Sequence, residues 1–354
     1  MSVEPHDLEM SLNYFIRNGF ELHPYFYNCT GVDSYALGVP RPFIGTYFLT
    51  VGIVLLMIYL PCLFVMGRSD LMKSSCYKIM FYLGIMDISC ITVNSVATGW
   101  LAIQGATFCS YPKFIYVMGA IGCGFWMGSC ATCILLALNR CCDINQNFKI
   151  RKMFVGNNIY IVMLVPLSYT IYSTFFIKPV AFNSNYVSWF FNPFIPGMNG
   201  EYYVNIAHTI NNCCVSLTTT TLYVLLCCSL LHKSRHSSSE ALSKTQRQIF
   251  IQSILICSIN AIAAYIYVYM QFIPPPPFVV LIGQLAWQCA HGSVCIVYIT
   301  MNRTIRRGVF KLFCPQNLQS HLNMKTTTIT TEVRPVSKVI TSVAATATSS
   351  EAVF

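Results

Sequence analysis

Residues 114–140 read FIYVMGAIGCGFWMGSCATCILLALNR, with no charged side chain before Arg140. At about 1.5 Å per residue, a helix over this stretch crosses a hydrocarbon core of about 30 Å with some tilt. The stretch is rich in small residues, and Ala120, Gly124, Gly128 and Thr132 recur at four-residue spacing. In lipid, that spacing lets neighbouring helix backbones approach closely. Gly119, Gly122, Ser129 and Ala131 extend the small surface to other faces, which predicts the central helix of a bundle, closed by Arg140 and a polar loop.

The whole chain agrees with a membrane protein. Of 354 residues, 55% are hydrophobic and 10% charged, and the mean hydropathy is +0.56. A soluble domain carries about a quarter charged residues. Apolar spans are predicted over Phe43–Met66, Ile79–Ile103, Phe114–Arg140, Ile159–Ile177, Val204–Leu231, Ile249–Phe272 and Phe278–Met301. Pro274 to Pro277 divide the last two, because four prolines cannot continue a helix. The expected fold class is therefore an all-α membrane protein, a bundle of seven transmembrane helices. Residues 1–42 form an outer tail, 43–313 the bundle with a short basic segment after it, and 314–354 a disordered inner tail rich in Ser and Thr.

Charge placement sets the orientation. Seven spans put the two termini on opposite sides. With the N-terminus outside, the outer side holds Arg17, Arg41, Lys113 and Lys178, and the remaining 18 of 22 basic residues fall inside. This is a positive-inside bias, so the formal net charge of +10 is a topology signal, and nucleic acid is not an expected partner. The lipid bilayer is.

Chemistry-bearing residues within spans are few. Asp87 is the lone carboxylate in a span, and such a group is costly unless it faces the bundle interior. Asn94 lies seven residues on, on the same face. With Asn260, His291 and Tyr298 they make a candidate internal polar switch; the alternative is a polar knot that only fixes packing. The outer halves of spans three, five, six and seven offer Tyr116, His208, Asn212, Tyr267, Gln271, Gln284 and Trp287 as candidate walls of a ligand cavity. Each taken singly also fits ordinary helix–helix hydrogen bonding. No third ligand accompanies His208 and His291, so no metal or other cofactor is expected, and no HExxH, GxSxG or paired intramembrane carboxylates point to an enzyme. Cys29 and Cys109, the cysteines in outer segments, can form a disulfide in the oxidising exterior or remain free thiols. Asn28-Cys29-Thr30 is a glycosylation sequon, and Cys314 fits reversible palmitoylation.

The chain also resembles known receptors. Asn139-Arg140-Cys141 stands where rhodopsin-like G-protein-coupled receptors carry Asp-Arg-Tyr, although spans six and seven lack that class's Cys-Trp-x-Pro and Asn-Pro-x-x-Tyr motifs. A closer resemblance, carried by Tyr27-Asn28-Cys29, Tyr59-Leu60-Pro61-Cys62, Cys76 to Met80, Gly84 to Asp87, Asn139-Arg140-Cys141, His291-Gly292 and Asn302 to Arg306, is to the nematode serpentine chemoreceptors of class T. That resemblance implies a chemosensory receptor in the plasma membrane, the sensory cilium included. It would bind an unidentified small molecule outside and a heterotrimeric G protein inside. Asn139, Arg140 and Asp143 would carry the coupling, with Asp143 one turn from Arg140 as a substitute for the acid that the rhodopsin-like motif places beside its arginine. A small-solute transporter is the alternative, disfavoured by the lack of equal repeated halves. An epitope tag before residue 1 is expected to stain intact cells, and one after residue 354 only permeabilised cells; the reverse pattern contradicts the orientation.

Overall fold

The computed structural model describes residues 8–68, 70–144, 148–236 and 244–313. One compact unit covers Met1–Leu312; the remainder, Phe313–Phe354, is described only at Phe313. Span one is Pro42–Arg68, span two Ser75–Gln104, span three Pro112–Ile144, span four Asn158–Phe175, span five Ile206–His236, span six Lys244–Phe272 and span seven Pro277–Met301. Six of these are apolar enough over their described residues to cross a membrane. Span five, whose side chains are described in part, completes the bundle at 31 residues.

Several boundaries move for local reasons. Span three does not stop at Arg140 but continues to Ile144, since nothing before the polar loop breaks the helix. Span two begins at Ser75, which draws Lys78 into the helix; its ammonium lies 4.2 Å from the Tyr160 ring centroid, a cation–π contact. Pro276 caps span seven and Pro277 opens it, a first-turn position where the missing N–H costs nothing. Span two also carries a π-helical turn over Thr92–Ala97. The extra residue in that turn rotates the outer half of the helix, and consecutive Asn94 and Ser95 are both fully buried. Gly105 ends the span with φ 66°, the left-handed cap that a side chain disfavours.

The small-residue stripe of span three is where span four seats. A Cβ at Gly124 would overlap the Thr174 hydroxyl, and one at Gly128 the Thr170 hydroxyl. Ser173 Oγ donates to the Gly124 carbonyl at 3.2 Å, a bond that requires this backbone proximity. Span three packs against spans two, four, five and six, as a central helix should.

The outer end is more ordered than a polar tail suggests. A short helix, Leu12–Arg17, is capped by Ser11 and buries Leu12 and Phe15. Between spans four and five lies a hairpin of β1 (Ala181–Asn183) and β2 (Ser188–Phe190), with Phe182 opposite Trp189. At the inner end a terminal helix, Arg303–Phe313, follows span seven. Asn302 Oδ1 caps it, accepting from the Thr304 and Ile305 backbone at 3.1 Å. Gly124→Leu or Gly128→Leu is expected to lower the melting temperature of the purified protein, overpacking costing about 1–3 kcal/mol. Ile161→Leu on the lipid-facing side, 68% exposed, is expected to leave it within a degree or two.

Candidate functional site

The buried centre of the bundle is a polar cluster around Asp87, which is 1% exposed. His291 Nδ1 of span seven lies 2.7 Å from Asp87 Oδ1. The Tyr59 hydroxyl of span one donates to Oδ2. Gly84 makes that reach possible: a Cβ there would lie 2.8 Å from Leu63 Cδ1 and 3.2 Å from the Tyr59 ring. Tyr298 stands edge-on to Tyr59, centroids 6.0 Å apart, and its hydroxyl reaches the Met80 carbonyl at 3.5 Å. Spans one, two and seven are thus joined at one carboxylate. Such a charge is tolerated because both oxygens have donors; removing one partner strands the other in a dry interior.

A second layer lies above. Asn94 Nδ2 donates to the Trp287 carbonyl at 3.2 Å, and Ser95 Oγ donates to Asn94 Oδ1 at 2.7 Å. Gln288 Nε2 reaches Ser95 Oγ at 3.1 Å, and Gln284 Nε2 donates to the Asn94 carbonyl at 2.9 Å. Asn260 of span six accepts from Cys130 Sγ of span three at 3.6 Å. The five residues read as an internal polar switch therefore all sit in the core, but in two linked layers plus the separate Asn260 contact.

Above these layers opens a cavity of about 280 Å³. His208, Tyr267, Gln271 and Trp287 line it as the sequence suggests. Tyr116, Asn212 and Gln284 do not. Tyr116 is covered from outside by the N-terminal tail, its ring 5.5 Å from Phe15 and 5.1 Å from Tyr27. Gln284 is turned toward span two by the bonds just given. Asn212 serves as a support, accepting from Trp126 Nε1 at 3.0 Å. Sequence reasoning missed Trp126, Trp189 and Phe191, which are also in the wall. Trp189 is held by its Nε1–H donating to Thr98 Oγ1 at 2.8 Å. Short apolar runs on either side of the turn residues Asn183-Ser184-Asn185 were the available hairpin signal. Trp126 forms the floor: its ring meets the cavity on one side and the edge of His291, centroids 5.7 Å apart, on the other.

The outer face is built from the tail and the outer loops, of which Ser188 to Asn192 and Phe194 line the cavity. Cys29 and Cys109 are joined by a disulfide with Cα atoms 5.4 Å apart. The Tyr203 hydroxyl donates to the Phe26 carbonyl, and burial pushes that phenol up to about 12. Ser184 N donates to the Ala106 carbonyl at 3.0 Å, tying the hairpin turn to the loop after span two. Asn28 is exposed beside the disulfide, its Oδ1 accepting from Thr30 N at 2.9 Å.

At the inner end Arg140 Nη1 donates to Asp143 Oδ2 at 2.7 Å across one helical turn, and the arginine side chain is 10% exposed. Among the described residues, its buried Nε and Nη2 have no hydrogen-bond partner. Asn139 Nδ2 donates to Ser75 Oγ of span two at 3.0 Å. Asn302 Nδ2 reaches both the Tyr77 hydroxyl at 2.9 Å and Gln252 Oε1 of span six at 3.3 Å. Cys314 lies outside the described residues.

Comparison with known proteins agrees with this architecture. Residues 10–322 match the family described as Serpentine type 7TM GPCR chemoreceptor Srt. Serpentine receptor class T-55 of Caenorhabditis elegans is 29% identical over 293 residues, covering 81% of this chain and 80% of its own length. Squid rhodopsin superposes with a TM-score of 0.57 at 12% identity, over 83% of this chain and 85% of its own, a likeness of fold. His291→Phe and Asp87→Asn are each expected to destabilise the protein by about 3 kcal/mol, and the double variant by clearly less than the sum. Additive losses in a chemical-denaturation cycle would show that the two groups do not interact.

Proposed function

Because the chain belongs to the Srt family of serpentine seven-transmembrane chemoreceptors, we propose that it is a chemosensory receptor of the plasma membrane whose outer cavity binds a small molecule and whose inner face engages a heterotrimeric G protein. The observation that carries this reading is that Trp126 and Trp287 belong to both the cavity wall and the polar core. Trp126 touches the cavity and His291; Trp287 lines the cavity while its carbonyl accepts from Asn94. A guest that displaces either ring alters the surroundings of Asp87 and its partners on spans one and seven. Such a ligand shifts the conformational balance only by its difference in affinity for the two arrangements.

Arg140 is the candidate coupling residue. It is tied to Asp143 and shielded, and among the described residues two of its donor groups meet no acceptor. Release from Asp143 frees a planar fork of donors for a partner's carbonyls or carboxylates. Asn139 cannot form an ion pair, so Asp143 takes the restraining role. The Cys29–Cys109 disulfide ties the tail to the loop before span three, and a glycan at Asn28 fits its exposed position. Sensory cilia are the expected location. Palmitoylation at Cys314 and phosphorylation of the tail that follows are further expectations for residues beyond those described. Membership of a receptor family speaks against a solute transporter and against an enzyme.

Arg140→Lys and Arg140→Ala are expected to reach the surface and to stimulate nucleotide exchange on a G protein at least about tenfold less than the parent. Asp143→Asn is expected to raise basal exchange. Parent-like exchange by both Arg140 variants at equal surface level would remove Arg140 from the mechanism; unchanged basal exchange in Asp143→Asn would remove Asp143 alone.

A further inference from the structure

We propose that the cavity selects small uncharged ring compounds carrying one hydrogen-bonding group, and rejects ammonium and carboxylate analogues of the same shape. This deepens the receptor reading and rests on it for the role of the cavity. The first observation is aromatic content. Three of the chain's four tryptophans, Trp126, Trp189 and Trp287, line the wall, with Tyr267 and Phe191 beside them. Flat aromatic faces reward a flat guest with stacked and edge-on contacts.

The second observation is charge. The chain has 22 Lys and Arg and 12 Asp and Glu, yet among the described residues none that lines the cavity is one of them. Nearby outer charges are engaged elsewhere. Lys178 Nζ donates to the carbonyls of Tyr202 and Val204 at 2.7 and 3.1 Å. Lys113 pairs with Glu21, and Arg41 donates to the Asn185 carbonyl at 3.3 Å. Asp87 lies beneath Trp126, held by His291 and Tyr59. A charged guest would leave water and meet no counter-ion, a heavy penalty in a mostly apolar site. A hydroxyl or carbonyl loses much less, because Ser188, His208 and Gln271 in the wall supply neutral donors and acceptors.

The third observation is size. A volume of about 280 Å³ holds roughly nine or ten non-hydrogen atoms at about 30 Å³ per water-sized group. A benzene ring with a two-carbon polar arm has that size.

Three probes share that shape and differ in charge: 2-phenylethanol, 2-phenylethylammonium and phenylacetate. Binding is read by tryptophan fluorescence of the full-length protein in phospholipid nanodiscs. A Trp100→Phe background leaves the cavity tryptophans as the emitters. The alcohol is expected to give a saturable change, and each ion to bind at least about 30-fold more weakly. Val280→Phe, which fills part of the cavity, is expected to abolish the saturable change while the melting temperature stays close to the parent's. Gln271→Glu is expected to tighten 2-phenylethylammonium at least about tenfold by supplying the missing counter-ion. Binding of either ion within threefold of the alcohol in the parent overturns the proposal; a preference for the ammonium would make the rings a cation cage. No saturable binding of the alcohol, or binding that survives Val280→Phe in folded protein, also overturns it. The assay contains no G protein, so the two readings fail separately. Neutral selectivity without nucleotide exchange would sink the receptor mechanism and leave the cavity chemistry standing. Charged selectivity with exchange intact would do the reverse.

Discussion

A carboxylate buried in lipid has to be answered, and the bundle is arranged around the answer given to Asp87. Its two oxygens take donors from Tyr59 and His291, on helices at opposite ends of the span order. The approach of Tyr59 depends on the missing side chain at Gly84. The π-helical turn that follows brings Asn94 and Ser95 against span seven, where Gln284, Gln288 and the Trp287 carbonyl receive them. Each of these bonds forms where water is excluded, so an unmade partner costs about 1–3 kcal/mol and the set holds or fails largely together. The same dryness keeps the cluster sensitive to movement of Trp126.

The architecture divides labour by depth. Above the carboxylate the helices part into an aromatic cavity walled on the outside by the hairpin and the residues after it, while the tail packs over Tyr116. Below the carboxylate the helices close through Asn302, which joins spans two, six and the terminal helix. Span three runs through all the levels, giving Tyr116 to the contact with the tail, Trp126 to the cavity floor and Arg140 to the inner face. Its small-residue stripe holds span four as a fixed buttress. Spans five and six meet through hydroxyl contacts instead, such as Tyr223 Oη to the Ser253 carbonyl at 3.1 Å and Tyr265 Oη to the Ser216 carbonyl at 3.2 Å.

Much of the fold was legible in the sequence because the bilayer imposes one period and one length. Phe114–Arg140 with its stripe announced a central helix, and Asp87 announced a buried site by its solitude. The Arg140–Asp143 turn followed from spacing once the helix was allowed to continue. What stayed hidden were features set by tertiary contact. Nothing local to Tyr59 says that Gly84 will admit it to Asp87. Tyr116 reads as a cavity residue until the tail is seen packed over it. Gln284, on the same polar stripe as Trp287, turns away from the cavity because the π-helical turn offers it the Asn94 carbonyl. Trp126 was overlooked for the opposite reason: among small and apolar neighbours it looked like filler, and its role appears only when His291 lies behind it.

The central claim is that the cavity and the Asp87 cluster are one mechanical unit joined by Trp126. The nitrogen resonances of the His291 imidazole, assigned among the chain's seven histidines by their loss in His291→Phe, report on it directly. Filling the cavity with 2-phenylethanol in nanodiscs is predicted to shift both His291 nitrogens in the parent and to leave them nearly still in Trp126→Leu when occupancy is matched. A His291 signal that does not move in the parent while tryptophan fluorescence shows the cavity filled would contradict the account.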